Sequence, residues 1–391
     1  MNESNPYSRA REIMRDFASL TGLDPPTATP HRYLWTDAFA VCNELGLYQR
    51  TNNAAYRDLA LRLVDQVHHV LGRHRNDDPR RGWISGLGEQ EGEQHPTIGG
   101  LRIGKKLKER MPGEPPDERL EWDRDGQYYH YLTKWMHTLN RVSRVTGDPV
   151  YARWAVELAK TAHARFTSIP AAGGPKRMAW KMSIDLSYPL VPSMGLHDPL
   201  DGLVTYSELQ ATAVSHHGNS PVPDLRAEIA EMEEICRGRD WATDDPLGIG
   251  GLLFDASRIV HLVMQGGFAC PDLLETVMNS ALRGMRSVGR SRLLQLPAGN
   301  RLAFRELGLS IGLKGLGEVS RSREENSVLS GSKDSLRRYL TELREYMPLV
   351  EEIEQFWLDE ENQKAGTWKE YREINMVMLA TSLAPEGFLG I

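Results

Sequence analysis

The chain has 391 residues, 40% of them hydrophobic, enough to bury a large core; length alone suggests two or three domains, although barrels and helical toroids run this long as one. Its net charge of −6 comes from interspersed signs with no basic stripe, which speaks against a nucleic-acid partner. No stretch approaches the roughly 18 uninterrupted apolar residues of a membrane span, the N-terminus has no signal-type apolar segment, and Cys42, Cys236 and Cys270 fit neither a disulfide framework nor C-x-x-C zinc spacing. The expectation is a soluble, cytoplasmic protein with no membrane partner, no metal and no cofactor.

In chain order, residues 8–20 read as a short amphipathic helix that the Pro-rich L-D-P-P-T-A-T-P ends. Residues 34–50 and 54–71 carry helical patterns around the polar turn T-N-N. After a long irregular segment, 127–145 and 150–166 repeat the arrangement around T-G-D-P. The two hairpins superpose at an offset of 95, pairing Thr51 with Thr146, Tyr56 with Tyr151, Ala60 with Ala155, Leu63 with Leu158 and His68 with His163, which indicates an internal repeat. Further hairpins follow at 200–214 with 224–236 and at 247–264 with 271–286. A fifth is looser: 302–316, a charged link at 320–333, and a long amphipathic helix at 336–358. The last helix, 369–383, is free to pair with the first.

Twelve helices thus make six hairpins, an all-α chain closing as a single (α/α)6 toroid over residues 1–391. An open solenoid would want more uniform repeats. The long connections, 73–126 and 167–199 above all, gather on the face where inner helices begin, and loops of that length in a compact domain are usually functional. Within 169–190, A-W-K-M-S-I-D-L alternates well enough for a small β-hairpin on that face.

The chemistry concentrates at 121–135, E-W-D-R-D-G-Q-Y-Y-H-Y-L-T-K-W, where acids precede rings at what reads as a helix start. Asp125 and Gly126 stand at the expected cap. Acids there stabilise a helix without any functional role, but rings with polar tips beside paired carboxylates also suit sugar stacking and proton transfer. Candidate catalytic residues are Asp125, Asp37, Asp123, Asp201 and His130. Candidate binding residues are His31, Arg32, Trp35, Tyr129, Trp180, Lys181, His197, Arg301 and Trp368. Asp198, ahead of Pro199, reads as a helix cap, which leaves Asp201 freer to face a cavity. Glu91 and His95 on a Gly-rich loop have nonspecific metal spacing, and solvated acids are the default there. Arg177, Lys181 and Arg301 offer positive charge to an acidic substrate.

The pieces W-T-D-A-F-A-V-C-N-E-L-G-L-Y-Q-R-T and D-G-Q-Y-Y-H-Y-L-T-K-W-M-H-T-L-N-R-V-S-R-V-T-G-D-P-V-Y resemble hairpins of the six-hairpin glycosidase superfamily, which includes unsaturated glucuronyl hydrolases and sugar epimerases. That resemblance implies an aspartate near an inner-helix start as general acid or base, a position matched by Asp37 and Asp125. The leading expectation is a glycoside hydrolase acting on a small or oligomeric sugar, with Asp125 or Asp123 protonating the leaving oxygen and Asp37 or Asp201 activating water. The alternatives are a sugar epimerase or isomerase using His130 or His197 as a proton shuttle, and a non-catalytic binding protein. The sequence does not fix the oligomeric state.

Overall fold

The two polar turns that the sequence repeats are wired alike. Helix α2 (Leu34–Thr51) ends where the Thr51 hydroxyl donates to the Leu47 carbonyl at 2.6 Å and accepts from the Asn53 N–H at 3.3 Å. Asn53 then caps α3 (Ala54–Leu71), its side chain accepting from the Ala55 N–H. In the second copy, α6 (Tyr129–Thr146) ends with the Thr146 hydroxyl donating to the Val142 carbonyl at 2.7 Å and accepting from the Asp148 N–H at 3.2 Å, and Asp148 caps α7 (Pro149–Phe166). Both turns use one left-handed residue, Asn52 at φ 54 and Gly147 at φ 76, as a helix C-terminus commonly does. The expected repeat is therefore a repeat of hydrogen bonds.

The computed structural model describes residues 5–170, 173–215, 223–266, 268, 271–325 and 334–390. They fall into two compact units, one of Met1–Phe17 with Gly238–Ile391 and one of Ala18–Arg237. In the second, α2, α6 and α8 (Asp198–Ser215) pack side by side, and each also packs on its own following helix: α3, α7 and α9 (Arg226–Cys236). Helix α2 is buried over almost its whole length, from Leu34 to Leu45, as an inner helix covered by an outer layer must be. The outer helices bury one stripe, such as Leu63, Val67 and Leu71 on α3.

The loops of this unit carry α4 (Glu89–Gln94), α5 (Glu118–Asp123) and five short strands: β1 (Gln127–Tyr128), β2 (Thr167–Ser168), β3 (Arg177–Met178), β4 (Lys181–Met182) and β5 (Pro189–Val191). The expected β-hairpin is β4 with β5, and β1 adds antiparallel to β4, pairing Gln127 with Met182 and Tyr128 with Lys181. Strands β2 and β3 form a separate pair. Helix α6 therefore opens directly out of a sheet.

In the other unit, α10 (Pro246–Met264) packs on α11 (Pro271–Arg290) and on α12 (Ala303–Glu325). The crossing of α10 and α12 requires glycine: a Cβ on Gly250 would stand 2.1 Å from the Gly308 carbonyl oxygen, and one on Gly312 2.4 Å from the Gly250 carbonyl oxygen. Among the described residues α10 alone is long and apolar enough to cross a membrane, and most of it is buried inside the protein, as expected of a core helix. Two expectations need correction. The 336–358 helix is two helices, Asp334–Arg344 and Pro348–Leu358, because Pro348 lacks an N–H and suits a helix's first turn. The 369–383 helix is likewise Gly366–Glu370 followed by Arg372–Leu383. Part of the charged 320–333 link is the end of α12; residues 326–333, like Cys270, lie outside the described residues. Near the chain ends, the Tyr7 hydroxyl of α1 (Pro6–Leu20) donates to Glu386.

Candidate active site

Asp125 does not cap α6. The helix starts four residues later with Tyr128 at its N-cap and no side-chain cap, because residues 127–128 pair as β1. Gly126, at φ 149, sits so close to β4 that a Cβ would lie 2.8 Å from the Met182 carbonyl oxygen. The Asp125 carboxylate turns instead toward the 73–126 loop. Its Oδ2 accepts from Arg102 Nη1 at 2.6 Å and Arg75 Nη1 at 3.2 Å, and its Oδ1 from the N–H groups of Gly104, Lys105 and Gly126. Fully buried, with both oxygens occupied by charged or backbone donors, it anchors the loop and has no oxygen left for a ligand.

Asp37 is also engaged. Its Oδ1 lies 3.3 Å from Arg32 Nη1 and its Oδ2 accepts from the Tyr33 N–H at 2.9 Å, while Arg32 Nη2 donates to the Thr21 carbonyl. Both side chains are buried, so this pair holds the start of α2, and Arg32 does not reach out to a ligand. Glu121 is held by Arg110 Nε at 2.5 Å. Lys181 is buried too: its ammonium donates to the Glu121 and Arg124 carbonyls at 2.5 and 2.8 Å, and burial lowers its pKa to about 8. Asp123 is exposed at the end of α5.

A shelf of rings runs between these anchors. Tyr128 stacks on Trp180 at 4.9 Å and on His130 at 5.4 Å, and His130 lies parallel to Trp180 at 6.3 Å with only 6° between planes. Trp122, 55% exposed, meets Trp180 edge-on at 5.0 Å. Trp35 and Tyr131 close the inner side, with ring centroids 5.3 Å apart, and the Tyr131 and Tyr33 hydroxyls are 2.7 Å apart. Burial, with Lys134 adding to it, holds the His130 pKa down at about 3, so the imidazole is neutral.

At the edge of the shelf, α8 supplies two acids one turn apart. Asp201 accepts from Lys134 Nζ at 2.8 Å and from the Thr133 hydroxyl at 2.5 Å. Asp198 is 6% exposed, its Oδ1 stands 3.9 Å from His130 Nδ1, and its Oδ2 is buried with no hydrogen-bond partner among the described residues. Burial first, and the Asp201 charge second, push its pKa up to about 7. A carboxyl half-protonated at neutral pH gives up or takes a proton readily. Reading Asp198 as a plain cap passed over this group, although H-D-P-L-D places two acids on one helical face, where like charges raise one another.

The other expected residues disperse. Tyr129 is fully buried with its hydroxyl on Tyr206 at 2.9 Å, a core residue rather than a binding one. His31 is exposed, and His197 is half-buried with its carbonyl accepting from the Asp201 N–H. In the other unit, Arg301 is buried with two nitrogens on the Glu306 carboxylate and its guanidinium 3.6 Å from the Phe356 ring centroid, and Trp368 stacks on Trp357 at 5.7 Å; both build that unit's core. His95 pairs with Glu157 at 2.7 Å, and no group of three His, Cys, Asp or Glu able to hold a metal occurs among the described residues.

No protein-family model matches the chain, and no curated protein does. Solved structures do. The GH76A alpha-1,6-mannanase of Salegentibacter sp. HEL1_6 is similar with a TM-score of 0.53 at 11% identity, over 97% of this chain and 99% of that one. An inactive variant of that mannanase in complex with alpha-1,6-mannotriose gives 0.51 at 12% identity over the same shares. The cellobiose 2-epimerase of Spirochaeta thermophila DSM 6192 gives 0.49 at 15% identity, over 96% of this chain and 97% of that one. At these identities the likeness speaks of fold, and the fold of this chain is that of the (α/α)6 toroid proteins.

Proposed function

We propose that the chain is a carbohydrate-active enzyme of glycoside hydrolase type, with Asp198 as its general acid. The observation that carries this reading is one carboxyl, raised to about 7 and left with an unpartnered buried oxygen, beside a shelf of stacked rings. The apolar face of a sugar ring stacks on such a shelf, and a carboxyl kept protonated near neutral pH can protonate a leaving glycosidic oxygen. Asp201, held between Lys134 and Thr133, is the companion carboxylate that adds to burial in keeping the proton on Asp198. The fold likeness to a mannanase whose inactive variant holds mannotriose supports an oligosaccharide ligand.

A separate observation favours a second reading, epimerisation or isomerisation of a free sugar. The neutral imidazole of His130 lies 3.9 Å from Asp198, an arrangement suited to moving a proton on and off a carbon next to a carbonyl. Incubating the wild type and Asp198→Asn with oligosaccharides and free disaccharides in deuterated water distinguishes the two by mass spectrometry. Hydrolysis releases new reducing ends; epimerisation puts deuterium into an uncleaved sugar. Asp198→Asn should lose on the order of 10²–10⁴-fold in turnover. Full activity in that variant would remove Asp198 from the mechanism, and binding without either product would make the protein a non-catalytic sugar binder.

A further inference from the structure

Five of the cations described around the shelf are paired. Arg32 meets Asp37, Arg75 and Arg102 meet Asp125, Lys134 meets Asp201, and Lys181 lies 3.6 Å from Glu121. Lys105 has no carboxylate within 4.0 Å and no hydrogen-bond acceptor for its ammonium among the described residues. It is half-buried, and its Nζ lies 5.7 Å from the centroid of the Tyr33 ring, whose hydroxyl meets that of Tyr131 on the inner side of the shelf.

This lysine is also held in place. Its N–H and that of Gly104 donate to Asp125 Oδ1 at 3.3 and 3.0 Å, and its carbonyl accepts from Arg75 Nη1 at 2.6 Å. The buried carboxylate that anchors the loop thereby fixes the backbone from which the ammonium projects. We propose that Lys105 determines the specificity of the shelf by selecting a sugar that carries an anionic group, a carboxylate, a sulfate or a phosphate. The inference rests on the sugar reading above and names the substrate class for that same site.

The physical reason is the cost of a bare charge. Partial burial weakens the proton affinity of Lys105, and the charges that favour its ammonium, Asp123 and Asp125, act only through space. Asp125 is moreover already shared by two guanidinium groups. An arriving anion would supply the missing charge-assisted hydrogen bond in a partly desolvated setting, where such a bond is strongest. Neither Arg301, locked on Glu306, nor Lys181, locked on two carbonyls, is placed to do this.

The test compares matched disaccharides ending in glucose, glucuronic acid, glucose 6-sulfate and glucose 6-phosphate. Their binding is measured by calorimetry at low and high salt to the full-length wild type, Lys105→Met and Lys105→Arg, with melting temperatures as a check on folding. The wild type should favour at least one anionic sugar over the neutral one by about tenfold or more, and the gap should narrow in high salt. Lys105→Met should bind neutral and anionic partners alike, whereas Lys105→Arg should keep the preference. The arm with the largest gap identifies the anion. Equal wild-type affinity for neutral and anionic sugars, or a preference that survives in Lys105→Met, would overturn the role of Lys105 and leave the sugar reading standing. Binding of no sugar at all would sink both.

Discussion

Asp125 and Asp198 make an instructive pair. Each is an aspartate just before or at the opening of an inner helix, each is almost wholly buried, and each has a basic or aromatic neighbour. Asp125 receives five donors, two of them guanidinium groups, whereas Asp198 keeps one oxygen without any. Burial alone raises a carboxyl pKa, and partners lower it again. Structural anchor and proposed proton donor thus differ in the company of the carboxylate, not in its position along a helix.

That contrast breaks most severely at Arg102. Replacing it with methionine strips Asp125 of its shortest ion pair and leaves a buried carboxylate half-compensated; the expected cost is about 3–5 kcal/mol in chemical denaturation, because a buried charge that loses its partner keeps its desolvation penalty. A loss below about 1 kcal/mol would mean that Arg75 and the backbone suffice, and that the two aspartates are less different than their partners suggest.

An effect of comparable size but opposite sign is expected at Asp198. Its folded pKa, about 7, lies above the unfolded value near 4, so the unfolded chain releases the proton first and stability falls as pH rises from about 4 to 7. Asp198→Asn removes that slope. Melting temperatures across this window should show the variant gaining on the wild type as pH rises, while its turnover collapses. A parallel pair of curves would show that Asp198 titrates normally.

The smallest effect belongs to the turns. Asp148→Ala takes the N-cap from α7 and should cost about 1 kcal/mol, with no change in sugar binding, since the turn is remote from the ring shelf in sequence and in bonding.

These differences also explain what could be read in advance. The helices expected at 34–50, 54–71 and 150–166 are legible because their signals are local, apolar periodicity on either side of the polar turns T-N-N and T-G-D-P. The break at Pro348 is equally local, but the apolar stripe runs on across it from 336 to 358 and reads as one helix. The site was legible in composition only. Trp35, His130 and Trp180 do share a shelf, yet the fate of Asp125 depends on Arg102 and Arg75, 23 and 50 residues away, and that of Asp37 on an arginine that could as easily have faced a ligand. Pairings across a long loop leave no periodic trace in the sequence. Lys105, within G-K-K-L-K, looks like any surface lysine until its backbone is seen tied to Asp125.

Of the nine tryptophans, only Trp122 is exposed, and it stands edge-on to Trp180 at the outer end of the shelf. The intrinsic fluorescence of the protein consequently has its most solvent-quenchable component at Trp122, with Trp154 and Trp180 half-buried and the other six indoles shielded. A molecule settling on the rings would screen that indole from acrylamide and move its emission to the blue, so the chain carries its own optical reporter of occupancy at the place where the chemistry is proposed.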